Sequence, residues 1–215
     1  MLEPRVHSLG DSAITIELGT ERSPQLLGDV HAAAATIRNA ALEHVHDVVP
    51  AYLALTVFYD PLQRTFSEMA GRILEVLTTA GSARPAQTSR HHLIPVRYDG
   101  MDIQTVAAST SLTVEQVIEI HSARTYTVDV LGFVPGFAYL SELDPRLSIA
   151  RRSQPRPRVA AGSVAIAATF TGVYPLDTPG GWHIIGRTET VMFDAHRESP
   201  ALFKAGDTVR FERAP

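Results

Sequence analysis

The sequence predicts an α+β protein in which a small ββαββα domain at residues 1–85 precedes a C-terminal β-barrel or closed sandwich at residues 90–215. Three observations favour this division. Up to residue 80, the hydrophobic pattern changes twice from the period of strands to the period of helices. The stretch GSARPAQTSR, residues 81–90, then lacks any period and contains glycine and proline, as domain boundaries do. From Thr125 onward, short apolar runs alternate with turn residues and show almost no helical period.

The first three elements are predicted to be a β-hairpin and a helix. RVHSL and SAITIEL flank Gly10–Asp11, a dipeptide typical of tight hairpin turns. Ser23 followed by Pro24 combines a capping hydroxyl with a residue suited to the first helical turn, and this helix is expected to end near Asn39. The residues predicted to face inward are Ile14, Ile16 and Leu18 in the strand and Leu26, Val30, Ala33 and Ile37 in the helix.

Two more strands and a second helix complete the first domain. HVHDVV and AYLALTVFYD lie around Pro50, and the second of them is rich in β-branched and aromatic residues. By the same capping logic, Asp60–Pro61 is predicted to open a helix that Gly81 ends. The buried stripe of this helix is predicted to be Leu62, Phe66, Met69, Ile73 and Leu77.

The second domain is predicted to begin with a strand and two helices. HLIPVRY is the strand, and a short helical patch covers residues 103–108. Thr113 and Gln116 have the spacing of a capping box, which predicts a helix after them. The strands predicted beyond are TVDVLGF, VAIAATF, GVYP, WHIIG, TVMFD and DTVRFE.

Composition excludes several classes of protein. Without any cysteine, the chain has no disulfide and no thiolate chemistry. Its formal net charge of -4 argues against general nucleic-acid binding, which needs a basic excess. The N-terminus has no apolar run of signal-peptide length, and no later segment reaches 18 uninterrupted apolar residues. We therefore expect a cytoplasmic protein that neither spans membranes nor binds nucleic acid.

One segment is strongly basic. Between Pro145 and Thr169 there is no acidic residue. Arginine suits carboxylates and phosphates because its planar fork donates paired hydrogen bonds. The segment is interpreted as an anion site, or as a solvated loop or a contact with an acidic partner. For any single arginine, the solvated loop or the partner contact is favoured. Its arginines are Arg146, Arg151, Arg152, Arg156 and Arg158.

Three segments combine glycine or proline with aromatic residues. They are Leu131–Leu140, Ala160–Pro175 and Thr178–Thr188, and the last contains the single tryptophan, Trp182. Exposed backbone amides, aromatic walls and few charges are what a binding site at a barrel mouth requires. The alternative is tight barrel corners with ordinary core aromatics. Taken together, the three segments favour a site.

These segments carry a specific resemblance. In order along the chain, GFVPGFAYL, PRPRV, AGSVAIA, TGVYP and TPGGWHIIGRT resemble the family of the B-type subunit of 5-oxoprolinase. This family, of the carboxyltransferase domain, subdomains C and D, is also called allophanate hydrolase subunit 1 and includes a sporulation kinase inhibitor. Because SAITIEL, VVPAYLALTVFYDP and GDTVRF are similar too, the resemblance extends over nearly the whole chain.

The resemblance implies a cyclophilin-like fold for the C-terminal barrel. It also implies that the protein functions as one subunit of a complex. These proteins are similar to one half of the carboxyltransferase region of urea amidolyase, and they pair with a related second subunit, which is the C-type subunit of 5-oxoprolinase or allophanate hydrolase subunit 2. The complex opens 5-oxoproline to glutamate at the expense of ATP. Allophanate or urea-derived chemistry is a further possibility. The competing classes are a regulatory protein that inhibits a histidine kinase and a lone prolyl isomerase.

Given this resemblance, candidate residues can be assigned. Lactam opening needs an electrophilic carbonyl and donors that meet oxyanion charge. Arg187 is the catalytic candidate because it could bind a carboxylate or phosphoryl group, with the amides of Gly180 and Gly181 as neutral donors. The substrate contacts predicted are Phe133, Pro135, Gly136, Phe137, Tyr139, Thr178, Pro179, Gly180, Gly181 and Trp182.

No general base, metal site or nucleotide loop is evident in the sequence. His183 lies in a dense segment, but a strand-edge histidine is more often structural than catalytic. The pairs His44 with His46 and His91 with His92 lack a third ligand, so no metal is predicted. The GxxxxGKS/T loop is missing, so ATP, the expected cofactor, binds differently or on a partner subunit. This chain alone is expected to be inactive.

Three positions depart from the family pattern. Ala160 stands where the family commonly has proline, Ala168 where it has glycine, and Phe170 where it has glutamine. An aromatic ring in place of an amide removes a donor and an acceptor. If the glutamine touches the ligand in the family, Phe170 alters the substrate; if it braces the barrel, the substrate is unchanged.

Overall fold

A computed structural model of the chain describes residues 4–21, 23–80 and 89–215. The chain divides into two units, Met1–Thr88 and Ser89–Pro215. Most of the boundary predicted at residues 81–90, namely residues 81–88, lies outside the described residues. Each unit has a hydrophobic core of its own.

The first unit has the predicted ββαββα order. Its elements are β1 (Arg5–Ser8), β2 (Ala13–Glu17), α1 (Pro24–Asn39), β3 (Val45–Ala51), β4 (Ala54–Tyr59) and α2 (Phe66–Ala80). The strands form one antiparallel sheet in the order β1-β2-β4-β3. Alternation along β2 buries Ile14 and Ile16 completely, and they pack with Val30 and Ile37 of α1.

The two helices of this unit begin differently from each other. Helix α1 starts as predicted, because the Ser23 hydroxyl accepts a hydrogen bond from the Leu26 amide at 3.1 Å. The prediction that Asp60–Pro61 opens α2 is wrong. Asp60 instead accepts from the Leu62 amide at 2.9 Å in a turn, which leaves the Leu62 side chain 91% exposed rather than buried.

Helix α2 is started by a capping box that the sequence prediction overlooked. The Thr65 amide donates to the Glu68 carboxylate at 2.8 Å, and the Glu68 amide donates to the Thr65 hydroxyl at 3.4 Å. This reciprocal pair satisfies two amides of the first turn, which a single Asp–Pro cap does not. Met69 and Ile73 are fully buried as predicted. The predicted stop at Gly81 lies outside the described residues.

The second unit consists of a large sheet, a two-stranded ribbon and helices. Three elements predicted for this unit are confirmed: strand β5, helix α3 and helix α4. Helix α4 begins with the predicted capping box, in which the Thr113 amide lies 2.8 Å from the Gln116 side chain. The elements are β5 (His91–Val96), α3 (Ile103–Thr110), α4 (Val114–Ala123), β6 (Thr125–Leu131), β7 (Ala138–Ser141), a 3-10 turn (Pro145–Leu147), β8 (Arg156–Val159), β9 (Ser163–Ala167), β10 (Phe170–Val173), β11 (Thr178–Gly180), β12 (His183–Arg187) and β13 (Thr208–Arg213).

The large sheet closes almost completely into a barrel. Its strand order is β12-β9-β10-β7-β6-β13-β5, so β12 and β5 are its edges. Immediately after β5, Arg97 exchanges two backbone hydrogen bonds with Arg187 of β12, at 2.9 and 2.8 Å. Farther along, the Asp102 amide donates to the Ile184 carbonyl at 2.9 Å. The predicted barrel is thus confirmed, and its two edge strands are joined.

Strand boundaries differ from the prediction in several places. TVMFD contributes only an isolated bridge between Phe193 and Ala201 and is not a strand. Strands β7, β8 and β11 were not predicted, because each has only three or four residues, and β8 and β11 also contain proline or glycine, which are typical of turns. VAIAATF ends as a strand at Ala167, and Ala168, at a φ of 50°, turns the chain into β10.

Candidate functional site

An aromatic cluster lies on one face of the barrel sheet, apart from the main core of the second unit. Along β9, Val164 and Ile166 belong to the main core, whereas Ala165 and Ala167 belong to this cluster. The reason is that successive side chains of a strand point to opposite faces of the sheet. The same alternation around β7 sends Ala138 and Leu140 to the main core and Phe137 and Tyr139 to the aromatic cluster.

Phe137 is the centre of this cluster. It is 2% exposed and meets four other rings edge to face, with interplanar angles between 68° and 84°. Such contacts align the positive edge of one ring with the negative face of another. The distances from the Phe137 ring centroid are 5.6 Å to Phe133, 5.1 Å to Tyr139, 5.4 Å to Tyr174 and 5.3 Å to Trp182.

A cavity of about 200 Å³ opens beside this cluster. Its volume corresponds to about seven water molecules of the liquid, which suits a small metabolite. Within the part of the chain that the structure describes, ten residues line it: Phe133, Phe137, Tyr139, Arg151, Pro155, Tyr174, Pro179, Gly180, Gly181 and Trp182. The structure thus brings together residues of all three dense segments, and it adds Arg151, Pro155 and Tyr174 to the predicted set.

Gly180 shapes the wall of the cavity. A Cβ atom at this position would lie 2.3 Å from the Tyr174 hydroxyl oxygen, so only glycine allows the two to approach. Burial raises the pKa of Tyr174, an effect that a hydrogen bond from the Trp182 backbone opposes. The Tyr174 hydroxyl therefore stays protonated near neutral pH.

The segment before β8 is bound to the Gly180–Trp182 wall by its backbone. The Arg152 amide donates to the Gly181 carbonyl at 2.8 Å, and Arg156 pairs with Gly180 in the β8–β11 ribbon. His183, which is 7% exposed, has its Nε2 3.0 Å from the Ala150 carbonyl. Since a carbonyl only accepts, Nε2 carries the proton. Through this hydrogen bond His183 holds the Ala150 segment against the barrel, and it does not line the cavity.

A buried carboxylate, Asp102, connects this wall to the barrel closure. Its oxygens accept from the Arg156 guanidinium at 2.6 Å, from Arg152 at 3.3 Å and from the Ile184 amide at 2.8 Å. Burial acts to raise the pKa of Asp102, but the hydrogen bonds from Arg156 and Ile184 and the charges of both arginines outweigh burial and lower it. Asp102 is thus a carboxylate that holds two arginines in place.

The arginines of the basic segment differ in their partners. Four of the five are paired with acidic side chains: Arg146 with Asp144, Arg152 and Arg156 with Asp102, and Arg158 with Asp177. Arg151 has neither an ion pair nor a hydrogen bond to any residue that the structure describes, and it is the one that lines the cavity.

The other predicted site residues lie beside the cavity or apart from it. Arg187 is not among the lining residues; its side chain is 63% exposed and pairs with Asp99 at 2.9 Å. Gly136 lies directly against Phe193: a Cβ added at position 136 would be 2.6 Å from the Phe193 Cβ. Exposed Pro135 lies two residues from both Phe133 and Phe137, and half-buried Thr178 precedes Pro179, but neither of the two lines the cavity itself.

Phe170 belongs to the surroundings of the cavity. Its ring centroid is 5.7 Å from that of Tyr139 in an edge-to-face contact, and it packs against the aromatic cluster without lining the cavity. The Phe170 ring therefore packs against Tyr139, a lining residue. Of the two roles considered for this position, bracing of the barrel fits the observed packing.

Among the residues that the structure describes, the ionisable groups that line the cavity are Arg151 and the hydroxyls of Tyr139 and Tyr174, with neither a carboxylate nor a histidine beside them. Across residues 4–21, 23–80 and 89–215, no three histidine, aspartate or glutamate side chains are grouped as metal ligands would be. Within the same residues, no helix is long and apolar enough to cross a bilayer.

Comparisons with known proteins agree on one family. The model of the carboxyltransferase domain, subdomain C and D, matches residues 4–203. The B-type subunit of 5-oxoprolinase from Bacillus subtilis (strain 168) is 38% identical over 227 residues, which cover 97% of this chain and 92% of that protein.

Solved structures share the fold. The crystal structure of TTHA0988 matches with a TM-score of 0.83 and 36% identity, over 94% of this chain and 40% of that longer chain. The Kluyveromyces lactis urea carboxylase matches with a TM-score of 0.77 over 99% of this chain and 22% of its own. At 16% identity, this second likeness concerns the fold alone.

Proposed function

Because this chain belongs to the carboxyltransferase domain, subdomain C and D, family, we propose that it is a subunit of an ATP-dependent amide-hydrolysing complex that opens 5-oxoproline to glutamate. The substrate comes from the name of its relative, the B-type subunit of 5-oxoprolinase. The observation that carries the proposal is the cavity, whose aromatic walls and single unpaired arginine suit a small ring that bears a carboxylate.

The size of the cavity supports a division of labour between subunits. Pockets for drug-sized ligands enclose roughly 300–1,000 Å³, whereas this cavity encloses about 200 Å³. A five-membered lactam suits that volume better than a nucleotide does. We therefore assign ATP to a partner, a related second subunit that corresponds to the C-type subunit of 5-oxoprolinase or to allophanate hydrolase subunit 2.

In this proposal the chain holds the lactam and the partner activates it. ATP, when bound, would supply the phosphoryl group that makes the amide carbonyl more electrophilic. The aromatic walls would exclude water around the ring, and backbone amides at Gly180 and Gly181 would donate to the oxygen on which charge develops. Since none of the described residues that line the cavity is a carboxylate or histidine general base, the isolated chain is expected to be inactive.

Arg187 is proposed to act toward the partner subunit. Its guanidinium is exposed, and beyond its contact with Asp99 it keeps donors for a carboxylate or phosphoryl group brought from outside this chain. We expect Arg187→Ala to lower turnover of the reconstituted complex at least tenfold, as loss of one charge-assisted contact would. Normal turnover together with normal substrate affinity would remove the role.

The proposed function is tested on the complex from native cells. The tagged chain is isolated with its stoichiometric partners, and ATP hydrolysis is measured with and without 5-oxoproline. Release of ADP together with glutamate is the expected result. A kinase partner with no lactam-dependent turnover would instead indicate the regulatory class.

A further inference from the structure

We propose that Arg151 binds the carboxylate of the substrate in the aromatic cavity and so selects a carboxylated ring over the neutral ring of the same shape. The identity of the substrate rests on the proposed function. The assignment of Arg151 as a carboxylate-binding residue rests on the cavity and on the pairing of the charges around it.

The first argument is the distribution of partners within the basic segment. Asp102, Asp144 and Asp177 form ion pairs with the arginines on either side of Arg151. Among the residues that the structure describes, none pairs with Arg151 itself. A guanidinium left without a partner beside a cavity whose other described lining residues are uncharged is suited to an anion that arrives with the ligand.

The second argument is the lining of the cavity. Its described residues include no carboxylate that would compete for Arg151 or repel a bound anion. Its remaining walls are mostly aromatic rings, and charge-assisted hydrogen bonds are stronger where water is excluded. The chemistry of the lining therefore favours a ligand with an apolar body and one negatively charged end.

The third argument is the backbone that carries Arg151. The Ile149 carbonyl accepts from the Ala168 amide at 2.7 Å, and the Ala150 carbonyl faces His183 Nε2 at 3.0 Å. On the other side, the Arg152 amide donates to Gly181 at 2.8 Å. Both neighbours of Arg151 are thus fixed to the barrel. The backbone that carries the exposed Arg151 side chain is therefore held in place, which reduces the backbone entropy lost when a ligand binds.

The kinetic test compares Arg151→Gln with Arg158→Gln in the reconstituted complex. Arg158 is the matched control because it lies in the same segment, is exposed and is already paired with Asp177. Arg151→Gln is expected to raise the KM for 5-oxoproline about ten- to hundredfold, the effect of one charge-assisted hydrogen-bonded contact, while Arg158→Gln leaves it unchanged. Arg151→Lys, which keeps the charge and loses the fork, should recover part of the loss.

A binding test on the full chain needs no turnover. Trp182 is the single tryptophan and lines the cavity, so its fluorescence reports ligands bound there. The probes are 5-oxoproline and 2-pyrrolidinone, which has the same ring without the carboxylate, together with proline and 2-furoate as other cyclic carboxylates. The wild-type chain should bind 5-oxoproline at least tenfold more tightly than 2-pyrrolidinone, and Arg151→Gln should remove that preference.

The outcomes separate this inference from the proposed function. Equal binding of 5-oxoproline by the wild type and Arg151→Gln would overturn the role of Arg151, and so would a panel in which no carboxylate changes the Trp182 signal. If proline or 2-furoate binds with a dependence on Arg151 while the complex fails to turn over 5-oxoproline, the carboxylate site stands and the proposed function fails.

Discussion

At the scale of single residues, His121 shows how a titratable group can serve the fold. It is fully buried, with Nε2 2.8 Å from the Thr171 hydroxyl and Nδ1 2.8 Å from the Tyr98 hydroxyl. Because Thr171 donates its own proton to the Ala165 carbonyl, Nε2 donates to Thr171 and Nδ1 accepts from Tyr98. One neutral tautomer therefore joins α4 to the barrel sheet.

The first prediction concerns the pH dependence of stability. Burial lowers the pKa of His121 to about 3, whereas an unfolded histidine titrates near 6.5. Protons therefore bind the unfolded chain preferentially, and the stability that the neutral ring contributes is lost as pH falls from about 6.5 toward about 3. The gap in unfolding free energy between wild type and His121→Gln should narrow by about 2 kcal/mol between about pH 7 and about pH 5.

Urea titrations at the two pH values measure this gap. His196→Gln is the control, since the His196 side chain is exposed and its gap to the wild type should stay constant. A constant gap for His121→Gln as well would contradict the assignment of a neutral buried ring.

The second prediction uses two adjacent glycines of the cavity wall. At Gly180 a methyl group would lie 2.3 Å from the Tyr174 hydroxyl oxygen, whereas at Gly181 the nearest atom would be 3.7 Å away. Gly180→Ala should destabilise the protein by about 1–3 kcal/mol, the cost of overpacking, and should weaken ligand binding measured by Trp182 fluorescence. Gly181→Ala should leave stability unchanged or slightly raised. Similar losses in both variants would show that the contact with Tyr174 is not what requires glycine.

At the scale of secondary-structure elements, the turn between β9 and β10 is strained. Ala168 has a φ of 50°, a conformation that glycine adopts without cost and alanine does not. The turn is nevertheless important for the site, because the Ala168 amide binds the Ile149 carbonyl and so helps to fix the segment that carries Arg151.

The third prediction is that Ala168→Gly stabilises the protein. Relief of the left-handed alanine outweighs the added freedom of glycine in the unfolded chain, so we expect a gain of about 0.5–1 kcal/mol in unfolding free energy. Ala167→Gly, the same change in the buried strand β9, should instead destabilise it by about 1 kcal/mol or more. Thermal or urea unfolding of both variants checks the sign, and destabilisation by Ala168→Gly would refute the prediction.

At the scale of the whole molecule, the barrel of the second unit depends on the contact between its two edges. Gly100 and Gly186 lie where those edges meet. A Cβ at Gly186 would be 2.5 Å from the Arg97 carbonyl oxygen, and one at Gly100 would be 2.3 Å from the Ile185 carbonyl carbon. Glycine at both positions lets the two backbones approach closely enough for the Arg97 and Arg187 hydrogen bonds.

The fourth prediction is that Gly186→Ala opens this seam. The variant should lose about 1–3 kcal/mol of stability through overpacking, and the amides of Arg97 and Arg187 should exchange with solvent faster. Gly132→Ala is the control, because a Cβ there would meet nothing within 4 Å. Unchanged exchange at both amides in Gly186→Ala would mean that the closure tolerates a side chain.

Local patterns were sufficient to predict much of this architecture. Some features depend only on residues close together in the sequence and can be predicted from it directly. They include the alternation around Ile14 and Ile16, the Ser23 cap, and the capping box of Thr113 and Gln116. The start of α2 was missed because two local caps compete there, and the box at Thr65 satisfies more backbone amides than Asp60 with Pro61 does.

Sequence patterns were thus enough to establish the fold class, the aromatic and glycine composition of the cavity wall and the presence of a basic segment. They were not enough to show which arginine stays unpaired, because that depends on contacts between distant parts of the chain. Asp102 reaches Arg152 and Arg156 across 50 and 54 residues, and Asp177 reaches Arg158 across 19. Local periodicity carries no information about such pairs, because an ion pair depends on the distance in space between two side chains, and only the closed barrel brings these together.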